Sequence, residues 1–366
     1  MKHILLITPF VPSKIGAGVN YTRLFIEDIS HENIVDVVLF KMQGEDSYTP
    51  CNSHIRIIKE FKTSVFSKLF NCAFLFFLFP LFTAKFNLFV YVFLKKLLKQ
   101  KDYDIVYFDF SQMFLYAKLL RHKNKVLMSH DVITQRYSRK GNPLLSRFCF
   151  RTEKWILSVS NGNIFTFSQK DSDLIDTYFG ISSRVTTFYL SEDIVDTFPE
   201  YLGDYYVFFA MWKRDDNYEG LEWFIKNVLP QCDNSISFKI IGAGLHEKLK
   251  EIISQFDNIE YLGFVENPYP IIANSKALIS PLFTGAGVKV KVIEALACGT
   301  PIIGTQLSFE GIAEDFGEFM IQAETPNDFL CVMRTLNLSL DKRIEFKKSF
   351  LLSYSNKQIK QYIYSH

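Results

Sequence analysis

The sequence predicts an α/β protein built from two parallel-sheet domains, and three observations carry that reading. Short runs of β-branched and aliphatic residues alternate with stretches of helical apolar spacing from the start of the chain, the signature of strand–helix units feeding a parallel sheet. The alternation restarts after Phe198-Pro-Glu-Tyr-Leu-Gly-Asp204. With 366 residues, the chain is long enough for each domain to bury a sizeable core.

In the first domain, Ile4-Leu-Leu-Ile-Thr8 reads as a buried strand and Pro9 to Gly18 as a glycine-containing loop. A helix then runs from 21 to 29 with apolar residues at 21, 24, 25 and 29 and Asn20 as its cap. Strands follow at 35–39, 105–108 and 125–129, with helical patterns at 112–122 and 143–160. A strand at 164–167 leads into Ser168-Gln-Lys-Asp-Ser-Asp, whose serine and acids suit a helix N-cap and first turn. The second cycle has strands at 206–210, 237–241 and 259–262 and helices near 218–228 and 246–255, then helix and strand patterns over 268–280. From Asp341 to His366 the tail reads as amphipathic helix. No short-period repeat or low-complexity linker is present.

Composition narrows the function. Lys plus Arg number 41 against 39 Asp plus Glu, so the net charge of +2 supplies no field for nucleic acid. Six cysteines, at 51, 72, 149, 232, 298 and 331, form no C-x-x-C pair and read as reduced core residues of a cytoplasmic protein. The apolar run from Ile4 is interrupted by Pro9 and lacks a cleavage site, so it reads as a first strand and not a signal peptide. One segment stands apart: residues 61–101 hold eleven phenylalanines, seven lysines and no acid. The uncharged stretch between Lys68 and Lys85 is 16 residues with Pro80 inside it, short of the ~20 a spanning helix needs. Two readings stay open, ordinary helices that are partly core, or an interfacial surface on anionic membrane.

The chemistry concentrates in Pro281-Leu-Phe-Thr-Gly-Ala-Gly-Val-Lys-Val-Lys-Val-Ile-Glu-Ala-Leu-Ala-Cys-Gly-Thr-Pro-Ile-Ile-Gly-Thr305. Gly285 and Gly287 let the backbone approach an anion, and a helix beginning near Val288 aims free N–H groups and its positive end at the same point. Lys289 and Lys291 add cationic donors. Glu294 shares a helix face with Lys291, and its carboxylate can accept two hydrogen bonds from a ribose diol. The bland alternative is a βαβ unit with solvated lysines. His130-Asp131 follow the strand at 125–129, at the carboxyl end of a parallel strand, where open sheets bind ligands; a lone histidine there is also compatible with a structural role.

The whole string, G-x-G-x-K-x-K-x-x-E-A-x-A-x-G-x-P, resembles the nucleotide-sugar site of glycosyltransferase family 4, retaining enzymes of the GT-B fold with two Rossmann-like domains facing each other across a donor and acceptor cleft. The resemblance implies that Gly285, Gly287, Val288, Lys289 and Lys291 hold a diphosphate and Glu294 the ribose. It implies that His130, in Ser129-His-Asp-Val-Ile-Thr-Gln-Arg136, lies beside the donor sugar as the catalytic candidate, with Asp131 positioning it or a loop. Gly16 and Gly18 match the family's first glycine loop, near donor phosphates and acceptor. Lys213 and Arg214 fall in a segment that opens the donor domain, and Gly263-Phe264 where backbone groups hold the nucleobase. Two departures stand out: Ala286 replaces the glutamate that touches the donor sugar in many members, and Ala210 replaces a usual glycine.

The resemblance also implies an acceptor domain at 1–195, a donor domain at 196–350, and a helix at 351–366 that crosses back onto the first. No cofactor and no metal are expected, because the Asp-x-Asp matches at 102–104 and 171–173 sit before a strand and in a helix first turn. Expected partners are a nucleoside diphosphate sugar and a saccharide acceptor carried on polyprenyl diphosphate, at the inner face of a bacterial plasma membrane, in O-antigen or capsule assembly. A nucleotide-sugar epimerase of the same fold and a non-catalytic nucleotide-sugar binder are the alternatives.

Overall fold

The computed structural model describes residues 1–366 apart from 160, 161, 313, 355, 356 and 366. The chain forms two compact units, Met1–Tyr189 with Asn356–His366, and Leu190–Ser355. The boundary expected at 195 therefore falls at 189. The last helix, Lys357–Ser365, belongs to the first unit. Its Lys360 Nζ lies 2.7 Å from Asp28 Oδ1, Tyr362 Oη donates to Asn124 Oδ1 at 2.6 Å, and Lys2 Nζ donates to the Ile363 carbonyl at 2.8 Å.

In the first unit the described strands are β1 (His3–Thr8), β2 (Ile34–Met42), β3 (Ile55–Thr63), β4 (Ile105–Asp109), β5 (Lys125–Ser129), β6 (Gly162–Thr166) and β7 (Arg184–Val185). They pair in parallel in the order β3-β2-β1-β4-β5-β6-β7. The runs Ile4-Leu-Leu-Ile7 and Ile105-Val-Tyr-Phe108 are wholly buried, as a parallel sheet covered on both faces requires. In the second unit β8 (Tyr205–Phe209), β9 (Ser237–Ile241), β10 (Ile259–Gly263), β11 (Leu278–Ser280), β12 (Ile302–Gly304) and β13 (Met320–Gln322) pair in parallel in the order β10-β9-β8-β11-β12-β13. Phe208, Phe224 and Phe238 pack into one core of this unit, and Val207, Leu278 and Leu296 into another.

Both sheets reverse winding direction once, between β1 and β4 in the first and between β8 and β11 in the second. A crevice opens at the carboxyl ends of strands where the order reverses. The segments that leave β1, β8 and β11 carry Gly16 and Gly18, Lys213 and Arg214, and Gly285 to Lys291, while His130 leaves β5, the neighbour of β4.

Three sequence expectations change. The helix after the first loop begins at Ala17 with Gly16 as N-cap residue, so Asn20 is inside its first turn and its side chain accepts from Arg23 at 2.9 Å instead of capping. Residues 61–63 close β3 and are not part of the aromatic helical segment. Of the six cysteines only Cys149 and Cys298 are buried; Cys51 and Cys331 are exposed. Three of the four Asp-x-Asp acids have structural partners: Asp104 accepts the His3 amide at 2.8 Å, Asp171 takes the Ser168 hydroxyl at 2.8 Å while its amide returns to Ser168 Oγ, and Asp173 accepts from Gln169 at 2.7 Å.

Candidate functional site

In the second unit, the loop after β11 turns through Gly285 (φ 119°) and Gly287 (φ 73°), backbone conformations that side-chain-bearing residues adopt at a cost. The helix it feeds is Val290–Ala297, with Lys289 as N-cap residue and no side-chain cap. Its start lies two residues beyond Val288, so Val288 is in the loop. An uncapped helix N-terminus leaves amide donors and a positive dipole end at the carboxyl end of the sheet. The opposing wall comes from the loop after β8 and the helix Asp215–Asn227. Gly220 permits this approach, because a Cβ there would collide with the Pro281 carbonyl oxygen.

Polar side chains converge on this loop. Lys291 Nζ donates to Asn217 Oδ1 at 2.9 Å. Removal from water pulls the Lys291 ammonium down to about 7, with the Arg214 and Lys289 charges adding to the effect and Asp216 opposing it. Arg214 forks onto Asp216 at 3.0 and 2.7 Å. Burial would raise the Asp216 carboxyl, but the Arg214 hydrogen bonds and charge hold it below its ordinary range. Lys289 is 8% exposed; its Nζ donates to the Gly287 carbonyl at 2.7 Å and lies 3.8 Å from Glu310 Oε2. It thus braces the loop from within. Glu294, one turn into the helix, accepts from Tyr269 Oη at 3.3 Å, and burial pushes its carboxyl up to about 7 against that hydrogen bond.

The remaining donor-side candidates are placed differently. Lys213 is exposed and lays its stem against Gly244, whose φ is 84°. Gly263 (φ 65°) ends β10, its carbonyl accepting the Gly242 amide at 2.7 Å, and Phe264 after it is 57% exposed. Ala210 is buried, and its carbonyl closes against Gly242 so tightly that no Cβ fits there. Gly242 is thus the residue whose missing side chain lets the ends of β8 and β9 meet.

In the first unit, His130 leaves β5 and its Nε2 lies 2.8 Å from Asp109 Oδ1 at the end of β4. Asp109 is fully buried, and its other oxygen accepts from Thr22 at 2.5 Å and Thr8 at 3.3 Å. The His130 ring stacks on Phe110, centroids 3.6 Å apart and planes 8° apart. Phe110 takes φ 60°, a strained conformation for an aromatic residue and one that collects at functional sites. Gly18 is the third wall: a Cβ there would sit 2.8 Å from Phe110 Cζ and 3.3 Å from His130 Nδ1. Asp131 does not hold His130; its carboxylate pairs with Arg136. Sequence reading missed Asp109 and Phe110, since Asp109 ends an apolar strand 21 residues upstream of the histidine and only the sheet order brings β4 beside β5. Asn217 and Tyr269, missed likewise, meet Lys291 and Glu294 only through the fold.

Known proteins resemble this chain in sequence and in fold. Residues 204–336 match the family model described as Glycosyl transferases group 1. Over 293 residues the chain is 23% identical to an uncharacterized 44.6 kDa protein in the cps region of Klebsiella pneumoniae, an alignment covering 72% of this chain and 74% of that one. Sucrose-phosphate synthase from Thermosynechococcus elongatus superposes with a TM-score of 0.73 at 12% identity, over 100% of this chain and 99% of its own. HepE from Anabaena, solved in complex with UDP and glucose, gives 0.71 at 13% identity over 100% of both chains. WaaG, described as a glycosyltransferase involved in lipopolysaccharide biosynthesis, gives 0.64 at 11% identity over 95% and 94%. The chain accordingly has the two-domain GT-B fold of these solved structures, and residues 204–336, within its second unit, carry the group 1 match.

Proposed function

We propose that this glycosyltransferase takes its sugar from a nucleoside diphosphate sugar and transfers it, with retention at the anomeric carbon, to a saccharide acceptor during assembly of a bacterial surface polysaccharide. The observation that carries the donor assignment is the uncapped N-terminus at Val290, reached through two positive-φ glycines, with Lys291 and Glu294 in its first turns. Breaking the anomeric bond builds negative charge on the departing diphosphate. Amide donors and an ammonium already in place stabilise that charge more in the transition state than in the substrate. Lys291 comes into its charged form as the diphosphate arrives, and Glu294 receives the ribose hydroxyls. These groups are proposed to supply the stabilisation without a metal. His130, held by Asp109, is the proposed polar contact to the transferred sugar. The cps-region relative supports a surface polysaccharide, and HepE, solved with UDP and glucose, supports a nucleoside diphosphate sugar; a polyprenyl-diphosphate carrier for the acceptor is the further part of the proposal.

The test is release of nucleoside diphosphate from a panel of donors, with and without lipid-linked oligosaccharide acceptors, in buffer containing EDTA. Acceptor-dependent release that persists in EDTA is the expected result. Conversion of the donor sugar without any acceptor would identify an epimerase instead, and abolition by EDTA would overturn metal independence.

A further inference from the structure

The helix Val65–Phe74 has no buried residue, and its amphipathic sense is reversed. Phe66, Phe70 and Phe74, spaced four apart, are 79, 61 and 71% exposed, and Leu69 beside them 65%. The polar side chains face inward: Asn71 Nδ2 reaches the Ala84 carbonyl at 3.4 Å and Lys68 Nζ the Met42 sulfur at 3.1 Å. A helix on a water-facing surface turns its apolar stripe to the core; this one presents it outward. Phe76 and Phe77 continue the display after the helix ends, at 76 and 60% exposed.

The helix Leu88–Gln100 repeats the theme along its length. Its inner face buries Val90, Leu94 and Leu97, while Leu88 and Phe89 are 64 and 84% exposed at its start. Lys95, Lys96 and Lys99 are exposed further along. An outward face that passes from aromatic to cationic within three turns is suited to rings dipping below a headgroup layer whose phosphates the ammoniums meet. Four of the segment's seven lysines lie off these faces: Lys62 is on β3, Lys68 turns in to Met42, Lys85 is buried against the Pro9 carbonyl, and Lys101 pairs with Asp36. None of the described helices is long and apolar enough to cross a membrane.

We propose that the outward faces of Val65–Phe74 and Leu88–Gln100 seat the first unit on the surface of an anionic lipid bilayer. The charge selects this occupant. Residues 61–101 contain no Asp or Glu, so a second copy of the same surface would bring lysines against lysines, whereas anionic headgroups complement both the charge and the rings. The inference stands apart from the donor reading, since donor binding needs no vesicle and vesicle binding needs no donor.

Co-sedimentation of the full-length protein with vesicles tests it, using phosphatidylglycerol and phosphatidylcholine in equal parts against phosphatidylcholine alone. The variants are Phe66→Ser/Phe70→Ser/Phe74→Ser and Lys95→Glu/Lys96→Glu; all five positions are exposed, and circular dichroism confirms the fold of each. Binding is expected on the anionic vesicles, weakened by high salt, lost in the triple variant and reduced at least about fivefold for each lysine removed. Absence of binding by the parent protein, or binding that both variants retain, overturns the proposal. So does light scattering that shows a dimer dispersed by the triple variant with no vesicle binding, which would assign the surface to a second copy.

Discussion

At the scale of single residues, two titrating groups in the second unit are expected to set the pH behaviour of the proposed donor binding. Lys291 is pulled down to about 7 and Glu294 is pushed up to about 7, both chiefly by burial. In the empty protein, the lowered lysine makes folding stability rise with pH from about 7 toward 10.5, where the unfolded chain holds the extra proton. The raised glutamate makes stability fall as pH rises from 4.5 to about 7. On the proposed function, donor binding needs Lys291 charged and Glu294 ionised, so affinity is expected to peak near neutrality and fall on both sides, by up to about tenfold per pH unit on the alkaline limb. Titration calorimetry from pH 6 to 9 reads the curve, and Lys291→Arg is expected to flatten its alkaline side, since a guanidinium stays charged. An alkaline limb that survives in Lys291→Arg contradicts the assignment. In the first unit, Asp109→Asn keeps the size of the side chain but removes the carboxylate that orients His130. A fall in kcat of about a hundredfold or more at unchanged donor affinity is expected; wild-type kcat would remove His130 and Asp109 from the chemistry.

Among the elements, the helix Val290–Ala297 depends on one that follows it in sequence. Arg343, 1% exposed on the helix Leu340–Ser353, donates to the carbonyls of Gly299, Ser275 and Ala273 at 2.8, 2.7 and 2.7 Å, and Lys347 donates to Ala297 at 2.8 Å. These are carbonyls at or just past helix ends, which have no partner within their own helices. Arg343→Met would leave them buried without donors, a loss of roughly 1–3 kcal/mol per carbonyl that lowers the thermal midpoint of unfolding by several degrees and is expected to weaken the proposed donor binding from a distance. Scanning calorimetry with and without donor checks both effects, and an unchanged midpoint would show that water satisfies these groups. The sequence Asp341-Lys-Arg-Ile-Glu-Phe-Lys-Lys reads as a solvated helix face, and nothing in its spacing distinguishes the arginine that is buried. The strands β1, β5 and β9 were by contrast legible to within a residue, because each carries buried apolar residues at its centre or end, at 4–7, 126–128 and 240–241, as a strand covered on both faces of a parallel sheet requires. Strands β7 and β13, two and three residues long, are too short to carry a period.

For the molecule as a whole, sheet order converts scattered motifs into sites. Strand reversal between β8 and β11 sets the loop at 281–289 against the segment at 211–217, and reversal between β1 and β4 sets Gly18 against Phe110 and His130. The grouping of Lys289, Lys291 and Glu294 was readable because they lie within one stretch where loop and helix N-terminus are consecutive. Asp109, Asn217 and Tyr269 were not, because their partners are 21, 74 and 25 residues away. The aromatic segment was legible as composition, but only the structure sorts its rings: Phe79 and Phe82 are core, while Phe66, Phe70 and Phe89 face out. The central claim is that a nucleoside diphosphate sugar occupies the loop between β11 and the helix at Val290. Saturation-transfer NMR with a panel of such donors, comparing the parent protein with Glu294→Ala and Lys291→Ala, tests it most directly. Selective binding of one donor, weakened about tenfold to a hundredfold in each variant, is the predicted result; a folded protein that binds none of them, or variants that bind as well as the parent, would contradict it.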